Sequence, residues 1–151
     1  MVYTIATMFI TKIEKKIADK FIKDGYVVLK VEDLKKLRKL QNFIVKSISK
    51  NSKNKNSNLD ILNSYYMNKR TKDLNQSRLK IYNKINNDQN FRKDFYFLAK
   101  HGLDAIVGNE LVMQNKINLS IQNPNDHSSL LNMHADTWSG DSPYEVVVWL
   151  P

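Results

Sequence analysis

The run Tyr144-Glu145-Val146-Val147-Val148-Trp149-Leu150 constrains this chain more than any other stretch of it. β-Branched and aromatic residues suit a pleated, half-buried surface, so the run predicts a strand. Val146 to Leu150 is also the most apolar segment, and only Pro151 follows it. A strand of that character needs neighbours along both edges and cover on its faces, because an open one is a template for aggregation. The sequence offers about three or four strands in all, too few to close a barrel. The expectation is a fragment of a longer protein, cut within its β core.

The residues ahead of that core read differently. Ile13, Ile17, Phe21 and Ile22 are spaced for one face of a helix over 12–24, and Gly25 sits where a helix should stop. Tyr26-Val27-Val28-Leu29-Lys30-Val31 predicts a strand. Asp33 is placed to cap a helix whose apolar face is Leu34, Leu37, Leu40, Ile44 and Ile48. A polar loop is expected over 49–58, then helices over 59–68 and 76–87. A further helix runs from Phe91 to Val107 on the spacing of Phe95, Leu98, Leu103 and Ile106, with Gly108 as its stop. From Glu110 the texture turns to strand, in 110–114 and 117–122. A loop of Asn, Asp, Ser and Pro over 123–133 separates these from the last strand. The reading is one α+β domain, helical over 1–109 and β over 110–151.

Composition narrows the function classes. The chain has 151 residues, 42% of them hydrophobic, enough for a core and not the balance of a disordered chain. It has no cysteine, which excludes disulfides, a thiolate nucleophile and cysteine-ligated zinc, and suits a cytoplasmic setting. No apolar run is long enough to span a bilayer. The apolar opening, Met1 to Ile10, lacks a preceding basic residue and passes straight into Lys12, Glu14, Lys15 and Lys16, unlike a secretory signal; Met8 is an alternative start. The net charge of +9 points toward nucleic acid, but the excess is Lys mixed with Asn and Ile, as over 46–56. Arginine, the usual reader of phosphates and bases, stands only at 38, 70, 78 and 92, and no aromatics interleave the basic run. A solvated surface is the better account, with neither nucleic acid nor membrane as a partner.

The stretch that carries chemistry is Asn132-Met133-His134-Ala135-Asp136-Thr137-Trp138-Ser139-Gly140-Asp141-Ser142-Pro143. In extended backbone, residues two apart point to one side, so His134 and Asp136 can offer an imidazole nitrogen and a carboxylate oxygen to one ion. With one more histidine they would form the two-His-one-carboxylate face that suits iron(II) and leaves positions open for other ligands. His-x-Asp alone is a weak signal; the alternative is a surface loop in which Asp136 orients His134 or caps a turn.

The run from Asn118 to Pro151, NLSIQNPNDHSSLLNMHADTWSGDSPYEVVVWLP, resembles the first half of the catalytic core of phytanoyl-CoA dioxygenase-like oxygenases. The resemblance is greatest to the 2-oxoglutarate-Fe(II) oxygenases of sporadic carbohydrate-biosynthesis clusters. Phe21-Ile22-Lys23-Asp24-Gly25-Tyr26-Val27-Val28 is similar to the helix-to-strand opening of many such proteins. The resemblance implies helices followed by the first strands of a double-stranded β-helix, a jelly-roll or cupin-like barrel incomplete at its C-terminus. It implies that His134 and Asp136 are iron ligands, and that 2-oxoglutarate chelates the iron and is decarboxylated as a substrate C–H bond is oxidised. The substrate it implies is a sugar or sugar-linked small molecule.

The family's second iron-binding histidine and its 2-oxoglutarate-binding arginine lie downstream of His-x-Asp, where this sequence has no counterpart. His101 and His127 both precede the motif. The expectation is that this chain alone binds iron weakly and turns over nothing. Gln122 could reach the cosubstrate or serve a loop hydrogen bond. Trp138 could wall the substrate pocket or pack beneath a turn, and Gly140, Asp141, Ser142 and Pro143 shape that turn. The rival functions are a cupin-type sugar isomerase or lyase, which would not consume 2-oxoglutarate, and an inactive remnant without metal.

Overall fold

The structure, a computed structural model, describes residues 9–48, 57–65, 71–122 and 132–151. Five α-helices stand among the described residues: α1 (Lys12–Asp24), α2 (Leu34–Ile48), α3 (Asn58–Asn63), α4 (Thr71–Asn87) and α5 (Gln89–Val107). The chain divides into two compact units, Met1–Leu40 with Asn90–Asn115, and Gln41–Gln89 with Lys116–Pro151.

In the first unit, α1 is closed at both ends by its own sequence. Thr11 accepts the Glu14 N–H at 3.2 Å while its own N–H donates to Glu14 Oε2 at 2.8 Å, a reciprocal capping box. At the other end Gly25 takes the left-handed conformation, φ 76°, and its N–H reaches the Phe21 carbonyl. Ile17 is buried and Phe21 half-buried on one face, whereas Ile13 and Ile22 are exposed, so the apolar stripe is narrower than the spacing implies. Lys15–Asp19 and Lys20–Asp24 pair along the solvent side, where such contacts add little. Asp33 caps α2 as expected, its Oδ1 accepting the Lys36 N–H at 2.8 Å. On α5, Phe91 and Gly102 are buried. A β-carbon on Gly102 would lie 2.6 Å from the Leu29 side chain, so this glycine lets the 26–31 segment rest against the helix. Gly108, φ 86°, ends α5 by donating to the Asp104 carbonyl. Arg92 then holds the Asn115 carbonyl at 2.9 Å.

The second unit is organised around α4, where Ile81 and Ile85 are each only 2% exposed. Val45 from α2, Tyr65 and Ile117 are its other buried apolar side chains among the described residues. Ser57 caps α3 through a second capping box with Asp60, and Asn58 reaches back to Asn42 at 2.7 Å. The helix expected over 59–68 is therefore the short α3; residues 66–68 of that expectation, like most of the 49–58 loop, lie outside the described residues. The helix expected over 76–87 starts earlier, at Thr71.

The expected α+β class with jelly-roll strands is overturned. Among the described residues there is no β-strand, sheet or barrel, and the segments 26–31, 110–114, 117–122 and 144–150 join no ladder. The physical reason is visible in burial. Ile117, Leu119 and Ile121 turn inward while Asn118, Ser120 and Gln122 face out, and Val146, Val148 and Leu150 are half-buried between exposed Val147 and Trp149. The two-residue period that predicts strands is therefore present. A strand, however, needs a second strand to take its backbone groups, and among the described residues no second strand is present to do so. Asn86 on α4 acts as a neighbour to Ile117, its Oδ1 accepting the Ile117 N–H at 2.7 Å and its Nδ2 donating to the Ile117 carbonyl at 3.0 Å. Arg78, two helical turns earlier on the same face, donates to the Leu119 carbonyl at 3.4 Å. Along 146–150 no hydrogen bond to the backbone occurs among the described residues. No described helix is long and apolar enough to cross a membrane.

Candidate metal centre

His134 and Asp136 flank Ala135, whose φ of −114° and ψ of 134° are extended. That single extended residue is enough to bring both side chains to one side, as the His-x-Asp spacing predicts. Immediately afterwards the chain tightens into one turn of 3-10 helix, Asp136–Ser139. Trp138 N–H donates to the Ala135 carbonyl at 2.9 Å, and Gly140, φ 95°, closes the turn by donating to the Thr137 carbonyl at 3.2 Å. The left-handed conformation at that point is the reason for a glycine. Ser142 then accepts the Tyr144 N–H on its hydroxyl and the Glu145 N–H on its carbonyl, which launches the last segment. The Gly140-to-Pro143 stretch thus shapes the turn as its composition predicts.

The two side chains meet at 3.5 Å, His134 Nε2 to Asp136 Oδ1. The other ring nitrogen, Nδ1, lies 2.6 Å from the Asn132 carbonyl. A carbonyl oxygen can only accept, so Nδ1 carries the hydrogen, and in the neutral ring Nε2 presents its lone pair toward the carboxylate. Two acceptors then face one gap. They are compatible in two ways: a proton on Nε2, giving a His–Asp ion pair, or a cation between them. His134 and Asp136 would hold such a cation through one imidazole nitrogen and one carboxylate oxygen. An Nδ1–H anchored on a backbone carbonyl is also the usual outer support of a metal-binding imidazole.

The donor set is incomplete. Among the described residues no three His, Asp or Glu side chains converge on a common point. His134 and Asp136 are 44% and 54% exposed, open to solvent rather than walled. His101 is an exposed residue of α5, and His127 lies outside the described residues. Gln122 is exposed at the end of its segment and makes no hydrogen bond to the motif. Trp138 rides on the 3-10 turn with 78% of its surface exposed. The structure therefore brings together His134 and Asp136 and joins neither Gln122 nor Trp138 to them by a hydrogen bond. What sequence reasoning missed is the Asn132 carbonyl that orients the imidazole; a backbone group leaves no signature in residue identity.

The clear electrostatic perturbations lie elsewhere. The Thr11 backbone N–H holds the Glu14 carboxyl below the usual carboxylate range, and its hydroxyl adds to the effect. The Lys36 N–H does the same for Asp33. Hydrogen bonds to Asp24 and Asp104 raise Lys20 and Lys100 respectively. Lys20 and Asp33 are exposed, Glu14 and Lys100 half-buried; all four serve helix ends and faces, and none belongs to the His134–Asp136 pair.

No protein-family model matches the chain, and no curated protein or solved structure matches it.

Proposed function

We propose that the chain contributes two ligands, His134 and Asp136, to a non-haem iron(II) centre of a 2-oxoglutarate-dependent oxygenase acting on a sugar or sugar-linked small molecule in the cytoplasm. The observation that supports the metal half of this reading is the placement of the imidazole, with Nδ1 on the Asn132 carbonyl and Nε2 beside the Asp136 carboxylate. Asn132 engages Nδ1, so His134 offers Nε2 to the same gap as the Asp136 carboxylate. One nitrogen and one hard anionic oxygen suit iron(II), and two protein donors leave most of the coordination sphere for a third protein ligand, a chelating cosubstrate and dioxygen. When bound, the iron and cosubstrate would supply the oxidising chemistry. The chain's own part is to hold one imidazole in a single orientation and to place one carboxylate beside it. The oxygenase class, cosubstrate and carbohydrate substrate rest on the resemblance of the 118–151 run.

The exposure of both side chains favours a second reading, a surface loop in which Asp136 only orients His134 or caps a turn and no enzyme activity exists. Anaerobic titration with iron(II), with and without 2-oxoglutarate, separates the two. The oxygenase reading expects weak binding that strengthens when 2-oxoglutarate is present and disappears in both His134→Ala and Asp136→Ala. Binding that is unchanged by either substitution, or indifferent to 2-oxoglutarate, would overturn it in favour of the surface loop.

A further inference from the structure

We draw no further inference here: the strongest candidate, the exposed face of the 144–150 segment that carries Val147 and Trp149, is an unpartnered apolar surface, and nothing in the structure shows what covers it.

Discussion

Helix α1 and the 144–150 segment carry equally plain hydrophobic patterns, and they come to opposite ends. α1 satisfies its backbone from within, and its first and last turns are closed by residues next door, Thr11 with Glu14 and Gly25 with Phe21. The 144–150 segment has the burial alternation of a strand and, among the described residues, no ladder. A helix is a local solution to the backbone's hydrogen-bonding requirement, whereas a strand is half of a non-local one. The same contrast separates α4, built on Ile81 and Ile85, from the 117–122 segment that leans on it.

The sharpest way to break this comparison is to empty the part that looks self-sufficient. Ile85→Ala removes a side chain that is 2% exposed and should lower stability by about 3 kcal/mol. Val147→Ala, at 67% exposure, should change it by less than about 0.5 kcal/mol. Urea unfolding of both variants checks the pair, and equal losses would mean that the 144–150 segment is as well packed as α4.

Asn86→Ala is the next test. It strips the Ile117 N–H and carbonyl of their partner and should cost roughly 1–2 kcal/mol, with faster hydrogen exchange at the Ile117 amide. Asn86→Asp keeps an acceptor for the N–H but sets a carboxylate against the carbonyl, so it should not restore the wild-type value. Unaltered exchange in both variants would show that the segment does not depend on α4.

A smaller effect is expected where Leu29 meets Gly102. Alanine in a helix is worth about 1 kcal/mol over glycine, but here its β-carbon drives Leu29 off its position at a similar cost. Gly102→Ala should therefore be near neutral in the natural background and stabilising by about 1 kcal/mol in Leu29→Ala. A double-mutant cycle with no coupling would place Leu29 elsewhere.

The least of the effects is a matter of pH. The Glu14 carboxyl is held below its ordinary range in the folded state, so its contribution is fully present above the unfolded-state value and is lost as pH falls through the folded one. Thermal melts between neutral and acid pH should show that decline reduced in Glu14→Gln. Identical pH profiles would mean that the capping box contributes only as a neutral hydrogen bond.

What was legible in the sequence follows the same division. The bounds of α1, the stops at Gly25 and Gly108 and the cap at Asp33 were readable because each depends on residues within one helical turn. The shared side of His134 and Asp136 was readable for a similar reason, since one extended residue sets it. The strands were misread because periodicity reports which face is inward and not whether a neighbour exists. The Asn86 contact with Ile117 spans 31 positions, and no local pattern marks an asparagine for such a task. Nor does composition announce that Gly102 serves a crossing segment rather than a helix end.

The Asn86 and Arg78 contacts also give the 117–122 segment a guarded border. A bare strand border offers alternating donors and acceptors that any passing chain can copy. Here an amide and a guanidinium already occupy the Ile117 and Leu119 carbonyls, so a foreign strand arriving on that side would have to evict both. Protection against miscopying is thus written into two half-buried polar side chains of a helix that also carries the buried Ile81 and Ile85.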